Sequence, residues 1–61
     1  MNEYLNKVIL CTVADNDAIR STLVMRVSPN GKYVFLGGPR IEHEQIGWVR
    51  CIDVTVLDVL P

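Results

Sequence analysis

Apolar side chains recur at every second position over much of this chain, and that period predicts strands. Lys7 to Val13 reads Lys-Val-Ile-Leu-Cys-Thr-Val, a β-branched and apolar run too short for a helix and suited to a strand. Ala14 to Ala18 is polar, and its Asp and Asn side chains favour a loop. Asp15 or Asp17 would serve as the N-cap of a helix over Asp15 to Met25, but Ser21-Thr22 and Val24 weaken that alternative. A second strand is expected from Thr22 to Val27. Leu23, Met25 and Val27 would share one face, and Thr22, Val24 and Arg26 the other.

Ser28-Pro29-Asn30-Gly31 is the clearest local signal. Pro29 presets φ for the first central position of a type I turn, Asn30 tolerates the second, and Gly31 supplies the left-handed residue of a bulged hairpin. Lys32 to Leu36 is the returning strand, with Tyr33 and Phe35 on one face and Val34 and Leu36 on the other. Gly37-Gly38-Pro39 breaks it. Arg40 to Ile46 reads as an exposed polar loop with at most one helical turn. Gly47 to Cys51 is a short fourth strand, Asp53 allows a tight turn, and Val54 to Leu60 is the last strand. Five strands in one short chain predict an all-β domain over residues 1–61, curled into a small barrel or an orthogonal sandwich.

Composition adds a partner to this picture. A chain of 61 residues has room for one core, worth only ~3–5 kcal/mol. Yet 49 % of it is hydrophobic, a surplus that hints at apolar surface buried against something else. Val8, Leu10 and Ile9, Cys11, Val13 are apolar on both faces of their strand, as are Val54, Val56, Leu60 and Leu57, Val59 of the last. A strand with one face in water should alternate cleanly. A homodimer is therefore expected, with Val54, Val56, Leu57, Val59 and Leu60 as its interface, by edge pairing or face packing.

The net charge of −1 gives no electrostatic footprint for duplex nucleic acid. The start, Met1-Asn2-Glu3-Tyr4, has neither the basic nor the apolar region of a secretory signal. No apolar run approaches the ~20 residues of a membrane span. A cytoplasmic location is expected, with Cys11 and Cys51 reduced and serving as small core or edge residues. No metal or other cofactor is expected, because two cysteines and one histidine do not complete a zinc site.

The layout resembles the SH3-like barrels: a long first loop (Ala14 to Ser21), a central hairpin at Pro29 to Gly31, then Gly47-Trp48-Val49, a single 3₁₀ turn at Ile52-Asp53, and a final strand through Leu57. That resemblance implies a five-stranded SH3-like small barrel with Trp48 near its binding groove. Proline-rich peptide recognition is not implied. Where that family carries Ala-Leu-Tyr-Asp-Tyr and Pro-x-x-Tyr, this chain has Leu10-Cys11-Thr12-Val13 and Arg50-Cys51-Ile52-Asp53. The Ser-Pro-Asn-Gly-Lys-Tyr-Val hairpin, the Trp-Val strand and the Val-Leu-Asp-Val-Leu ending also resemble very short phage-encoded proteins, some of which inhibit bacterial antiphage defence systems. That likeness implies an inhibitor acting by direct binding in the host cytoplasm.

Glu42-His43-Glu44 is the one cluster with catalytic residue types. Extended or helical, its side chains diverge, so a solvated loop is the plainer reading. Asp15 and Asp17 lack the glycine and distal Glu of a calcium loop. Gly37-Gly38-Pro39 has no Lys-Ser or Lys-Thr pair after it, as a phosphate loop would. Ser21, Thr22 and Ser28 have no local base. The residues thus predict a binding module without enzymatic activity. Its partner-binding surface would hold Trp48, Tyr33, Arg26 and Arg40, with Glu42, His43, Glu44 and Gln45. Trp48 is the anchor, with a core position as its competing role. The alternatives are a barrel that stacks single-stranded RNA or DNA using Lys32, Tyr33, Arg26 and Arg50, with Phe35 taken up by the core, and a structural subunit of a larger assembly.

Overall fold

The computed structural model describes residues 1–61. The β-branched and aromatic runs become five strands: β1 (Val8–Val13), β2 (Asn16–Val27), β3 (Tyr33–Gly37), β4 (Gly47–Arg50) and β5 (Val54–Leu60). Two 3₁₀ turns complete the chain, at Asn2–Tyr4 and at Cys51–Asp53, and there is no α-helix. All neighbouring strands are antiparallel, in one sheet of order β4-β3-β2-β1-β5. β4 and β5 are its two edges, with no ladder between them.

One face of the sheet makes the core. Ile9 and Cys11 of β1, Val24 of β2, and Val34 and Leu36 of β3 are fully buried together. Val49 of β4 and Val54 and Val56 of β5 pack on the same cluster. Both edge strands reaching one small cluster requires a strongly coiled sheet, as the native twist of strands favours. Met1 and Tyr4, at the two ends of the first 3₁₀ turn, also pack on the core.

The hairpin between β2 and β3 follows its local sequence. Gly31 has φ +73°, and its N–H donates to the Ser28 carbonyl at 2.9 Å. Asn30 Oδ1 accepts the Lys32 N–H at 2.9 Å and the Ser28 hydroxyl at 2.6 Å. The Ser28 hydroxyl in turn accepts the Tyr33 N–H at 3.0 Å.

Three expectations are corrected. The long first loop is absent: β2 starts at Asn16, directly after a two-residue turn whose Asp15 takes φ 72°. The faces of β2 exchange partway. Val24 pairs with Leu36 but Arg26 with Phe35, so Met25 is an extra residue, a bulge that swaps inside and outside. Val27 therefore joins Val24 on the core side, while Met25 is exposed. β5 carries the same device, since Leu10 faces Asp58 but Cys11 faces Val56.

Packing on the core and the bulge at Leu57 together redraw the expected dimer interface. Val54 and Val56 point into the core and are unavailable for face packing. Leu57 and Val59 are exposed, and Leu60 lies on the outer face in the row Leu60–Val8–Leu23. A bulge, and the bond from the Val59 N–H to Asp58 Oδ1 at 2.8 Å, both blunt the β5 edge against further strand pairing.

Cys11 is fully buried and Cys51 half-buried, and both are free thiols. Burial pushes the Cys11 thiol above its ordinary pKa; Arg20 opposes this and Glu44 adds to it. The folded state thus holds this proton more tightly than the unfolded chain. The contribution is complete below the unfolded thiol pKa of about 8.5 and is lost as pH climbs through the folded value. At pH 8, a chromogenic disulfide reagent should label Cys51 first and Cys11 only with unfolding. Two equal fast phases would contradict the buried position of Cys11.

Candidate functional site

The outer face of β2, β3 and β4 gathers the aromatic side chains. Because Val34, Leu36 and Val49 face inward, Tyr33, Phe35 and Trp48 must face out. Register then sets Arg26, Phe35 and Trp48 in one row and Tyr33 opposite Arg50. Phe35 and Trp48 meet edge to face, with ring centroids 5.4 Å apart, an arrangement aromatic quadrupoles favour. Phe35 is thus not a core residue, contrary to the expectation from its strand.

A shallow groove of about 790 Å³ opens beside this row. Trp48 and Tyr33 line it with Met25, Leu5, Pro29 and Arg26. Trp48 is 53 % exposed and Tyr33 45 %, so neither is used up by the core. The bulge turns Arg26 outward beside Met25, and the turn puts Pro29 here. Leu5, Met25 and Pro29 were not legible as site residues. Only the hairpin sequence hinted at Pro29, and nothing local marked the bulge.

The groove unites three of the eight expected partner-binding residues: Trp48, Tyr33 and Arg26. The other five lie on the segment from Arg40 to Gln45, which does not line it. That segment is anchored, not a free solvated loop. The Glu44 N–H donates to the Ser21 carbonyl at 2.9 Å, and the buried Thr22 hydroxyl donates to the Glu44 carbonyl at 2.9 Å. Arg20 pairs with the Glu44 carboxylate at 3.0 Å. Gln45 Nε2 donates to the carbonyls of Gly38 and His43. His43 is only 8 % exposed, and its Nδ1 accepts the Arg40 N–H at 3.4 Å. His43 is therefore withdrawn as a surface contact. Arg40 and Glu42 remain exposed, as an ion pair at 3.6 Å.

Of the cations expected to face nucleic acid, Arg50 is engaged. Its Nε and Nη2 donate to the Asp53 carboxylate at 2.8 and 3.3 Å, and those bonds push the guanidinium pKa further up. His, Cys, Asp and Glu side chains form no group of three placed to hold a metal ion. No helix is long and apolar enough to cross a membrane. No protein-family model matches the chain, and neither a curated protein nor a solved structure matches it.

Proposed function

We propose that this chain is a non-enzymatic protein-binding module, an SH3-like small barrel that engages its partner through the groove at Trp48. The exposed aromatic groove carries this reading. A contiguous apolar patch on so small a protein marks an interaction site, and tryptophan and arginine are the residue types that dominate binding energy. The strand order and the 3₁₀ turn between Trp48 and β5 support the barrel. The single histidine supports a non-catalytic role, being inward and bonded to a backbone amide instead of open at the groove.

Association with a second copy belongs to the same reading, because the outer row Leu60–Val8–Leu23 is only half covered. A sedimentation mass of twice 6.9 kDa supports it; 6.9 kDa at every concentration removes it. In its cellular setting the module acts in the cytoplasm as an inhibitor or adaptor by direct binding, as very short phage anti-defence proteins do.

Capture from bacterial lysate tests the main claim. One protein should be retained between about 0.1 and 1 M salt, and Trp48→Ala should weaken its binding about 30-fold, the scale of a ~2 kcal/mol hot spot. The row Arg26–Phe35–Trp48 favours a second reading, stacking of single-stranded nucleic acid. Oligonucleotide binding that falls steeply with salt would select it.

A further inference from the structure

We infer that the groove takes an extended segment of a partner protein in which a large apolar side chain sits beside a carboxylate. This rests on the protein-binding reading and adds the chemistry of what is bound. The chain has four arginines, and three of them have a carboxylate partner: Arg20 with Glu44, Arg40 with Glu42, and Arg50 with Asp53. Arg26 has none within ion-pair distance, and Arg26 is the arginine that lines the groove.

No acidic residue shares that lining. Ser28, the other small polar group there, is already committed to Asn30 and to the Tyr33 N–H. Three side-chain donors are left for a ligand, the Arg26 guanidinium, the Tyr33 phenol and the Trp48 indole N–H. A planar guanidinium matches a carboxylate in charge and in fork geometry. The rest of the lining is apolar, from Leu5 and Met25 to Pro29 and Trp48. Such a surface rewards a leucine or aromatic side chain, and the unbranched Met25 can adapt to its shape. A nucleic acid strand fits less well. It asks for several free cations along a backbone path, and here the groove lining holds one, Arg26, with Lys32 outside it and Arg50 held by Asp53 in a chain of net charge −1.

The test is a random peptide display library panned on the purified chain. Binders should be enriched in Leu, Phe or Trp within two residues of Asp or Glu. A fluorescein-labelled binder then reports affinity by anisotropy. Arg26→Glu should weaken it at least tenfold, Arg26→Lys less, and Trp48→Ala about thirtyfold. Replacing the peptide's acid by Lys should restore binding to Arg26→Glu. Circular dichroism confirms that each variant keeps its fold. Binders without an acidic bias, or indifferent to Arg26→Glu yet lost with Trp48→Ala, overturn this inference and leave the protein-binding reading intact. A library that yields no binder also overturns it. Salt-sensitive binding of labelled oligo(dT) in that case takes the protein-binding reading down as well.

Discussion

Leu36→Ala is expected to leave this chain largely unfolded in water at 25 °C. Leu36 is fully buried in a cluster with only four other fully buried apolar members. Truncating a buried leucine removes its transfer free energy and leaves a cavity, together about 2–5 kcal/mol. A core of this size supplies about 3–5 kcal/mol in total, so the loss matches the whole stability. A larger protein would survive the same substitution. Circular dichroism and urea titration measure it: Leu36→Ala should show no native baseline, whereas Leu36→Met, which conserves volume, should lose less than about 1.5 kcal/mol. A cooperative Leu36→Ala transition shifted by less than 1 kcal/mol would mean that the five-residue cluster is not what holds the sheet.

The second large effect is expected at Gly38. A methyl group there would lie 2.6 Å from His43 Cγ and 2.8 Å from His43 Cβ. These atoms sit close to the backbone and cannot swing aside without moving the segment. Gly38→Ala should cost about 1–3 kcal/mol, the usual range for overpacking, and should release the bonds from Gln45 to Gly38 and from Arg40 to His43. Gly37→Ala is the control. Its methyl would meet chiefly the Gln45 Oε1 at 2.7 Å, the far end of a flexible side chain, so the cost should be smaller. His43→Ala removes the ring, and the Gly38→Ala/His43→Ala pair should therefore be non-additive by at least about 0.5 kcal/mol. Equal costs at Gly37 and Gly38, with additive behaviour, would show that His43 does not pack where described.

The same contact explains why the Arg40–Glu44 segment was misread. Glu42-His43-Glu44 is polar at every position, and locally it looks solvated. What draws His43 inward is the absence of a side chain at Gly38, five residues away. What fixes the segment is its bonding to Ser21 and Thr22, some twenty residues back along the chain. A short window holds Gly38 with His43, but none holds Glu44 with Ser21 and Thr22, and it is this distant bonding that fixes the segment.

The two faces of a strand follow from parity only while the register is constant. Period-two reading succeeded on β3, where no extra residue intervenes, and it set Tyr33 and Phe35 on the face opposite Val34 and Leu36. It failed past Met25 and at Leu57, because one added residue turns every later side chain to the opposite face. Val27 thereby moved inside with Val24, and Arg26 moved out beside Met25. On β5 the added residue separates Leu60, on the outer face, from Val54 and Val56, which pack on the core.

Local chemistry was therefore enough to determine that the chain is all-β, that it has five strands, that β5 runs from Val54 to Leu60, and that Ser28 to Gly31 makes the central turn. These depend on backbone preferences and hydrogen bonds reaching only a few residues. Only the tertiary structure decided the bulges, the anchoring of His43, the outward position of Phe35 and the assembly of Leu5, Met25, Pro29 and Trp48 around Arg26. Each of these depends on which strand lies beside which and in what register, a quantity that belongs to pairs of distant segments and to no single one.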